Sequence, residues 1–385
     1  MVKADVVGRK LRGTFDGMWM IGKLAPSEAF AEDQGVNTTD SDESASRYSR
    51  QVLFPAIGEA GQARILASTV TVVGCGALGA SQGELLARAG VGRIRLIDRD
   101  IVERSNLGRQ ALYRESDALE RRPKAVALAA HLREFNREIE VLPQVAHLAA
   151  ANVDELLLGS DVILDGSDNF DVRYLINDWA VRESVPWVYG ACVAARGLSA
   201  VILPGRSPCL RCLFPDPPPK GASQTCDTAG IIAPAATIIA SLQVAEVLKI
   251  LVGADAAIRR SLLSVDLWPF RIFEMGGPNS APATDCPCCG RREFTFLSQE
   301  QGARALVPCG RDAVFIVPGR GDASFDFQAA VARLRPQFSL REGEGVAHWV
   351  LTEGTITLFE DGRALISGLS DQARALAIYD RYIGG

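Results

Sequence analysis

The sequence predicts an α/β fold. It is a Rossmann-like, mostly parallel sheet with an antiparallel extension and a four-cysteine zinc knuckle, plus a small C-terminal α/β module. Three observations predict it. First, apolar β-rich runs at 69–74, 93–98, 138–145 and 161–166 alternate with helical patterns at 77–90, 122–136, 152–158 and 170–184. That spacing gives parallel strands with helices on both faces. Second, the run "VTVVGCGALG" ends in Gly74, Gly76 and Gly79, and the next apolar run ends in Asp98. A glycine turn with an acidic residue about 20 positions on is the fingerprint of a nucleotide-binding βαβ unit. Third, Cys209-x-x-Cys212 and Cys286-x-x-Cys289 have the paired spacing of a tetrahedral thiolate site, the zinc knuckle.

The remaining elements follow in order. Residues 1–45 contain the acidic, polar stretch "EDQGVNTTDSDESAS", with little to bury, and are expected to be a flexible N-terminal extension. Residues 46–290 hold the alternating pattern. Within them "VPWVYGACV" and "LSAVILPG" lack an intervening helix and are expected to add antiparallel strands. A Pro-rich loop leads to the long helix "IIAPAATIIASLQVAEVLKIL", and "LLSVDLWPFRIFEM" returns as strand. Residues 291–385 form the small module: a strand at 313–317, a helix at 326–335, a hairpin around Thr355–Ile366 and a final helix at 370–383. The hairpin is expected to turn on the two residues Asp361-Gly362.

Composition narrows the function classes. A net charge of -5 gives no electrostatic footprint for nucleic acid or an anionic membrane. No apolar run is read as reaching the ~18 residues of a membrane span, and the start has no continuous apolar core of a secretion signal. A cytoplasmic protein is expected. Nine cysteines in that compartment argue for metal or catalysis over disulfides. No G-x-x-x-x-G-K-[ST] occurs, so this is not a P-loop enzyme.

Several residues carry candidate chemistry. The glycine turn and the following helix N-terminus suit any nucleotide phosphate, and Asp98 suits a ribose hydroxyl of NAD or ATP alike. "DRDIVERSNLGRQ" places Asn106, Arg109 and Gln110 just beyond that strand. Lys124, after Pro123, falls in the first turn of a helix, where a positive charge is unfavourable with the dipole and often has an anionic partner. Taken alone it also fits a solvated lysine. Asp165 and Asp168 sit at the carboxyl end of a strand, where open α/β sheets bind ligands. Asp168 is either a Mg²⁺ ligand or a helix N-cap. Cys288, inside the second knuckle, competes with its neighbours as a metal ligand. Cys226, in "SQTCDTAGII", is either an inert loop cysteine or a mobile nucleophile.

Taken together, the ordered motifs "RYSRQ", "GCGALG", "RLIDRDIVERSNLGRQ", "RPK", "DGSDN", "CLRC", "TCDTAG", "ASLQVAEVLK" and "CPCC", across residues 46–290, resemble the ThiF/MoeB/HesA family of ubiquitin-activating-type adenylyltransferases. The C-terminal tail is similar to that of the longer ThiF-type proteins. The resemblance implies that Gly74, Gly76 and Gly79 cradle ATP and Asp98 holds its ribose. Asn106, Arg109 and Lys124 would contact phosphates, and Asp168 would bind Mg²⁺. Arg50 would reach into the other protomer's site, which implies a homodimer. Cys209, Cys212, Cys286 and Cys289 would bind a structural Zn²⁺, and Cys226 matches the family's loop cysteine. Gly108 departs from the usual glutamine of that loop.

The implied reaction is ATP-dependent adenylation of the C-terminal Gly-Gly carboxylate of a small ubiquitin-like sulfur carrier, releasing pyrophosphate. A sulfur-donor protein would be a further partner, and thiamine or molybdopterin biosynthesis the destination. A carboxylate is ionised at pH 7, so a site without histidine is expected; the three histidines are His131, His147 and His348. Two alternatives stand beside this. One is adenylation of a small-molecule, peptide or tRNA-borne carboxylate by the same fold. The other is a non-catalytic dimeric scaffold. The chain's own Gly384-Gly385 end reads more simply as a helix stop than as a substrate.

Overall fold

The computed structural model describes residues 47–218, 229–276, 281–298, 304–306, 312–318 and 325–383. The expected N-terminal extension, Cys226, Cys309 and the terminal Gly384-Gly385 lie outside them. After helix α1 (Gly58–Ala67) the chain enters β1 (Thr69–Val73), whose five residues are all β-branched and all buried. That is the signature of a strand covered on both faces. Then follow α2 (Ala77–Ala89), β2 (Arg93–Asp98), α3 (Lys124–Phe135), β3 (Glu140–Val145), β4 (Val162–Asp165) and α4 (Phe170–Glu183). The predicted spans hold to within one or two residues.

Strands β5 (Trp187–Val193) and β6 (Arg196–Ile202) form a hairpin. The long helix α5 (Ala233–Val252) leads to β7 (Ser261–Asp266) and β8 (Arg271–Gly276). The eight strands form one sheet in the order β3-β2-β1-β4-β5-β6-β7-β8. Pairing is parallel from β3 through β5 and antiparallel beyond. The expected antiparallel extension is present, and "LLSVDLWPFRIFEM" supplies two of its strands. The order reverses between β1 and β4, so the carboxyl ends of those strands flank a crevice, the usual ligand position in such sheets.

Contrary to expectation, among the described residues one segment is long and apolar enough to cross a membrane by length and composition, and it is α5. Its Ala236, Ile239, Ala240, Val244 and Val247 are buried in the protein's own core. Its Gln243 is fully buried as well and donates to the carbonyl oxygens of Asp165 (2.9 Å) and Val188 (3.1 Å). Gln82 of α2 donates to the Asp165 carbonyl too (3.0 Å) and to Gln243 Oε1 (2.7 Å). Two helices thereby hold the end of β4 by hydrogen bonds that an apolar environment strengthens.

The C-terminal part is a second sheet, mostly antiparallel hairpins. Its strands are β9 (Arg304–Leu306), β10 (Ala313–Val317), β11 (Arg341–Gly343), β12 (Val346–Leu351), β13 (Gly354–Phe359) and β14 (Ala364–Ser367), ordered β11-β12-β13-β14-β10-β9. Helices α6 (Phe327–Leu334) and α7 (Gln372–Tyr382), capped by Asp326 and Asp371, cover one face. Three of these strands, β9, β11 and β12, are absent from the sequence prediction. The hairpin turn also differs. Gly362 N–H donates to Phe359 O and Phe359 N–H to Arg363 O, which closes a three-residue loop, with Gly362 at φ +81°. This is a type I turn ending in a left-handed glycine, in place of the two-residue turn.

His348 on β12 is buried beside Thr357 Oγ1 (2.9 Å). Burial, reinforced by the charges of Arg121 and Arg341, lowers its pKa to about 4. Its folded pKa lies below the unfolded value of about 6.5. Between those pH values the unfolded chain therefore binds a proton that the folded chain refuses, and stability is lost as pH falls through that window. Urea unfolding at pH 7 and pH 4.5 is expected to show about 2–3 kcal/mol more acid destabilisation in the wild type than in His348→Gln. Equal losses would contradict this account.

Candidate active site

The crevice at the β1/β4 switch opens into a cleft of about 970 Å³, counting its open mouth. Gly74, Gly76, Asp98, Arg109, Lys124 and Asp168 all line it. The sequence thus brings six of its candidates to one opening.

The glycines divide by function. Gly74 has φ +90°, and a Cβ there would lie 2.7 Å from Gly166 O on the β4 loop. A Cβ on Gly79 would be driven into the carbonyl oxygen of Gly74, so Gly79 lets α2 close onto β1 and does not itself line the cleft. Only Gly76 faces open space; the nearest atom to a Cβ there is Gln110 Nε2 at 3.9 Å. This is the division expected of a tight turn, a close ligand approach and a helix–strand contact. Gly76→Val is expected to keep the wild-type Tm while weakening ATP binding about 100-fold, by displacing the ligand. Gly79→Ala is expected to destabilise the fold by about 3 kcal/mol. Calorimetry and thermal melts on both variants check the division, and the reverse pattern would refute it.

Asp98 accepts the backbone N–H of Cys75 (2.6 Å) and of Asp100 (2.7 Å). Burial raises its pKa, and Lys124 opposes that. Lys124 opens α3 with its side chain almost wholly buried. Its Nζ lies 3.2 Å from Asp100 Oδ2, and its own N–H donates to Asp100 O (2.9 Å). The cation at an unfavourable helix end therefore has the anionic neighbours expected of it, and the solvated alternative falls away. Tyr113 donates its hydroxyl to Cys75 O (2.7 Å), fastening the glycine loop from behind. Burial pushes the Cys75 thiol well up, so this cysteine is no nucleophile.

On the opposite wall Asp165 is fully buried. It is held by Arg173 Nε (3.0 Å) and by the Ser167 hydroxyl (2.6 Å) and N–H (2.9 Å). Burial still raises its pKa; it is an anchor inside the fold. Asn169, not Asp168, caps α4, accepting from Asp171 N–H (2.8 Å). Asp168 is left exposed at the cleft, which suits a carboxylate that meets a hydrated cation.

Two candidates lie outside this chain's cleft, as Arg50 would for action in a second copy, and one expectation is corrected. Asn106 is buried outside the cleft lining, and its Oδ1 accepts from Glu103 N–H (3.1 Å), so it shapes the loop before Arg109. Arg50, exposed on a short helix (Ser49–Val52), does not line its own chain's cleft. The histidine-free site is corrected: His147 lines the cleft, its Nδ1 3.3 Å from Arg99 Nη1. Sequence reasoning also missed Arg99 and Arg173 and gave Gln110 no role. All three line the cleft, and the buried Oε1 of Gln110 has no hydrogen-bond partner. Position next to Asp98 was the available signal for Arg99.

The two knuckles meet. The Sγ atoms of Cys209, Cys212, Cys286 and Cys289 all lie within 4.8 Å of one another. Four sulfurs at this spacing form a closed donor set for a thiophilic divalent cation, with no position left for substrate. In the thiols themselves, contact with Cys209 and burial push Cys212 up to about 12, and burial and contact with Cys212 do the same to Cys289. Cys288 lies outside the set of four but touches it: its sulfur is fully buried, contacts Cys209 and accepts from Asn177 Nδ2 (3.2 Å), while Asn177 Oδ1 accepts Leu210 N–H (2.8 Å). One asparagine of α4 thus holds both knuckles.

Comparison with known proteins agrees with this architecture. The chain is 42% identical over 343 residues to the sulfur carrier protein ThiS adenylyltransferase of Bacillus subtilis, covering 88% of this chain and 99% of that one. It is 39% identical over 244 residues to the SAMP-activating enzyme E1 of Haloferax volcanii, covering 63% and 88%. The crystal structure of E. coli MccB shares the fold, with a TM-score of 0.56 at 22% identity over 66% of this chain and 76% of that one. The ThiF family matches residues 48–288, and the chain belongs to that family.

Proposed function

We propose that this protein adenylates the C-terminal carboxylate of a small ubiquitin-like sulfur carrier, using ATP and releasing pyrophosphate, for thiamine or molybdopterin synthesis. The observation that carries the reading is the convergence of Gly76, Asp98, Arg109, Lys124 and Asp168 on one cleft. Kinship with the ThiS adenylyltransferase supports the carrier as substrate. So does β8, the outer strand of its sheet. With Phe270 just before it, the strand exposes Ile272, Phe273 and Met275, a surface suited to a protein partner rather than a small molecule.

The residues present fit ATP. Gly76 leaves room for a phosphate, the α2 N-terminus faces it, and the unpartnered Gln110 Oε1 and the Asp98 carboxylate offer acceptors for ligand donors. In the reaction a carboxylate oxygen attacks the α-phosphorus, the bond to the bridging oxygen of the β-phosphate breaks, and pyrophosphate leaves with the electron pair. The nucleophile is already an anion, so no base is needed, and the difficulty is bringing anions together. Arg109 and Lys124 supply fixed positive charge, and positioning does the rest. Asp168 would hold Mg²⁺, which when bound neutralises charge on the departing pyrophosphate.

The four-cysteine cluster would hold a structural Zn²⁺. Thiols kept free for it imply a reducing compartment, consistent with a cytoplasmic enzyme. Arg50 would act on the cleft of a second copy in a homodimer. The acyl-adenylate is then passed to sulfur, with a sulfur-donor protein as further partner.

The test is ATP–pyrophosphate exchange with Mg²⁺ against a panel of sulfur carriers. Exchange is expected with one carrier and lost on deletion of its terminal glycine. Exchange that ignores the carrier, or none with any, would refute the reading.

A further inference from the structure

The C-terminal sheet does not pack on a remote face of the nucleotide-type domain. It packs behind the wall of the cleft. Ile101, three residues after Asp98, is fully buried in one apolar cluster with Ala313, Phe315, Val346, Phe359 and Leu365 of the second sheet. Polar ties run alongside. Arg121 donates to Thr357 Oγ1 (3.3 Å), and Arg122 pairs with Glu344 (3.7 Å).

At the centre of this contact are two guanidinium groups on one aromatic ring. Arg99 lines the cleft and lies over the Phe315 ring, 5.3 Å from its centroid. Arg363, just before β14, lies 5.4 Å from the same centroid and 5.0 Å from that of Phe359. Arg363 is 3% exposed. It pairs with Asp361 and donates to the carbonyl oxygen of Val145, the last residue of β3. The next three residues, Ala146, His147 and Leu148, line the cleft, and His147 is the group that meets Arg99. One buried nitrogen of Arg363, Nη1, has no hydrogen-bond partner.

A buried guanidinium with an unmet donor is a costly feature for a module that needs only a core. Its contacts point to one use. Through Val145 O it fixes the strand end that carries Ala146–Leu148, and through Phe315 it fixes the plane on which Arg99 rests. Cation–π contacts with a desolvated ring restrict a guanidinium to one orientation.

We propose that the C-terminal sheet is a positioning device for the cleft: Phe315 and Arg363 hold Arg99 in place, through the shared ring and through the Val145–Leu148 wall whose His147 meets it, and Arg99 contacts the bound nucleotide beside Asp98. Arg363 and Phe315 are positioning residues and touch no substrate. The inference rests on the cleft being the ATP site.

The test is ATP affinity by calorimetry on the full chain, without a carrier, for Arg99→Met, Arg363→Met, Phe315→Leu and the Arg99→Met/Arg363→Met double variant. Arg333→Met, whose side chain ties α6 to the end of α7 within the module, is the control. Each single variant is expected to weaken ATP about tenfold and the control less than twofold. Because Arg363 acts through Arg99, the double variant should be no weaker than Arg99→Met alone. In pyrophosphate exchange Arg363→Met and Phe315→Leu should raise KM for ATP and leave kcat and the carrier's KM unchanged. Wild-type affinity in both Arg363→Met and Phe315→Leu, or losses that simply add in the double variant, would overturn the proposal. If Arg363→Met does not fold, Phe315→Leu alone decides. Wild-type protein that binds ATP and loses affinity in this pattern, yet exchanges no pyrophosphate with any carrier, would refute the adenylation reading while upholding this one.

Discussion

Asp168→Ala and Arg109→Ala are each expected to lower carrier-dependent pyrophosphate exchange by about 10²–10³-fold, with Tm close to wild type. The size follows from removing one fixed charge from a site whose chemistry is electrostatic. The fold should survive, because neither residue holds the core. Asp168 is exposed, and α4 is capped by Asn169. Arg109 donates to the carbonyl oxygen of Ser105 (2.6 Å) from the rim of the cleft. Asp165 is the contrasting case: its replacement would strand the buried Arg173, so lost activity there would report lost structure. Near-normal exchange by Asp168→Ala or Arg109→Ala would remove those roles. Arg50 can be tested with the same material. If it acts across a two-fold dimer, mixing Arg50→Ala with Asp168→Ala protein should restore about a quarter of wild-type activity, since half the dimers would carry one intact site. No recovery on subunit exchange would refute action in trans.

The second large effect concerns the cysteine cluster. The purified protein is expected to carry one zinc per chain, and its removal by chelation should lower Tm by about 10 °C, because a cation bound only to the folded state stabilises it by mass action. The cluster joins segments 77 positions apart in sequence, Cys209 to Cys286 and Cys212 to Cys289, so its loss should loosen both knuckles together. Cys212→Ser should lose the zinc. Cys288→Ser should keep it, since that sulfur, though in contact with Cys209, is held by Asn177 and is not one of the four that lie within 4.8 Å of one another. Elemental analysis of the two variants decides, and zinc loss from Cys288→Ser would overturn the ligand assignment.

Much of the site was legible because it depends on short-range chemistry. The glycine turn, the acidic strand end and the two C-x-x-C pairs each have local reasons for their spacing. What was missed has a common cause. Asn106 and Gly79 carry the right residue types, yet their atoms are consumed by the loop and by helix closure, and only packing reveals that. Arg99, His147 and Gln110 reach the cleft because loops after β2 and β3 converge, which no local pattern encodes. The strands β11 and β12 were missed because "REGEGVAHWVL" mixes charge, glycine and apolar residues without clean alternation, and cross-strand pairing with β13 decides their state.

By itself the sequence determined the alternation of strands and helices over residues 69–184, the glycine turn, and the four sulfurs available to a metal. These follow from β-branched runs, helical periodicity and fixed ligand spacing, all of which act within a few residues. Only the tertiary structure decided which of Asp165 and Asp168 faces the cleft, which four cysteines of the two knuckles gather into one cluster, and that a second sheet packs behind the cleft wall. Those outcomes depend on burial and on partners far away in the chain. A carboxylate or thiol is made an anchor, a ligand or a catalytic charge by what surrounds it, and its neighbours along the chain do not specify that.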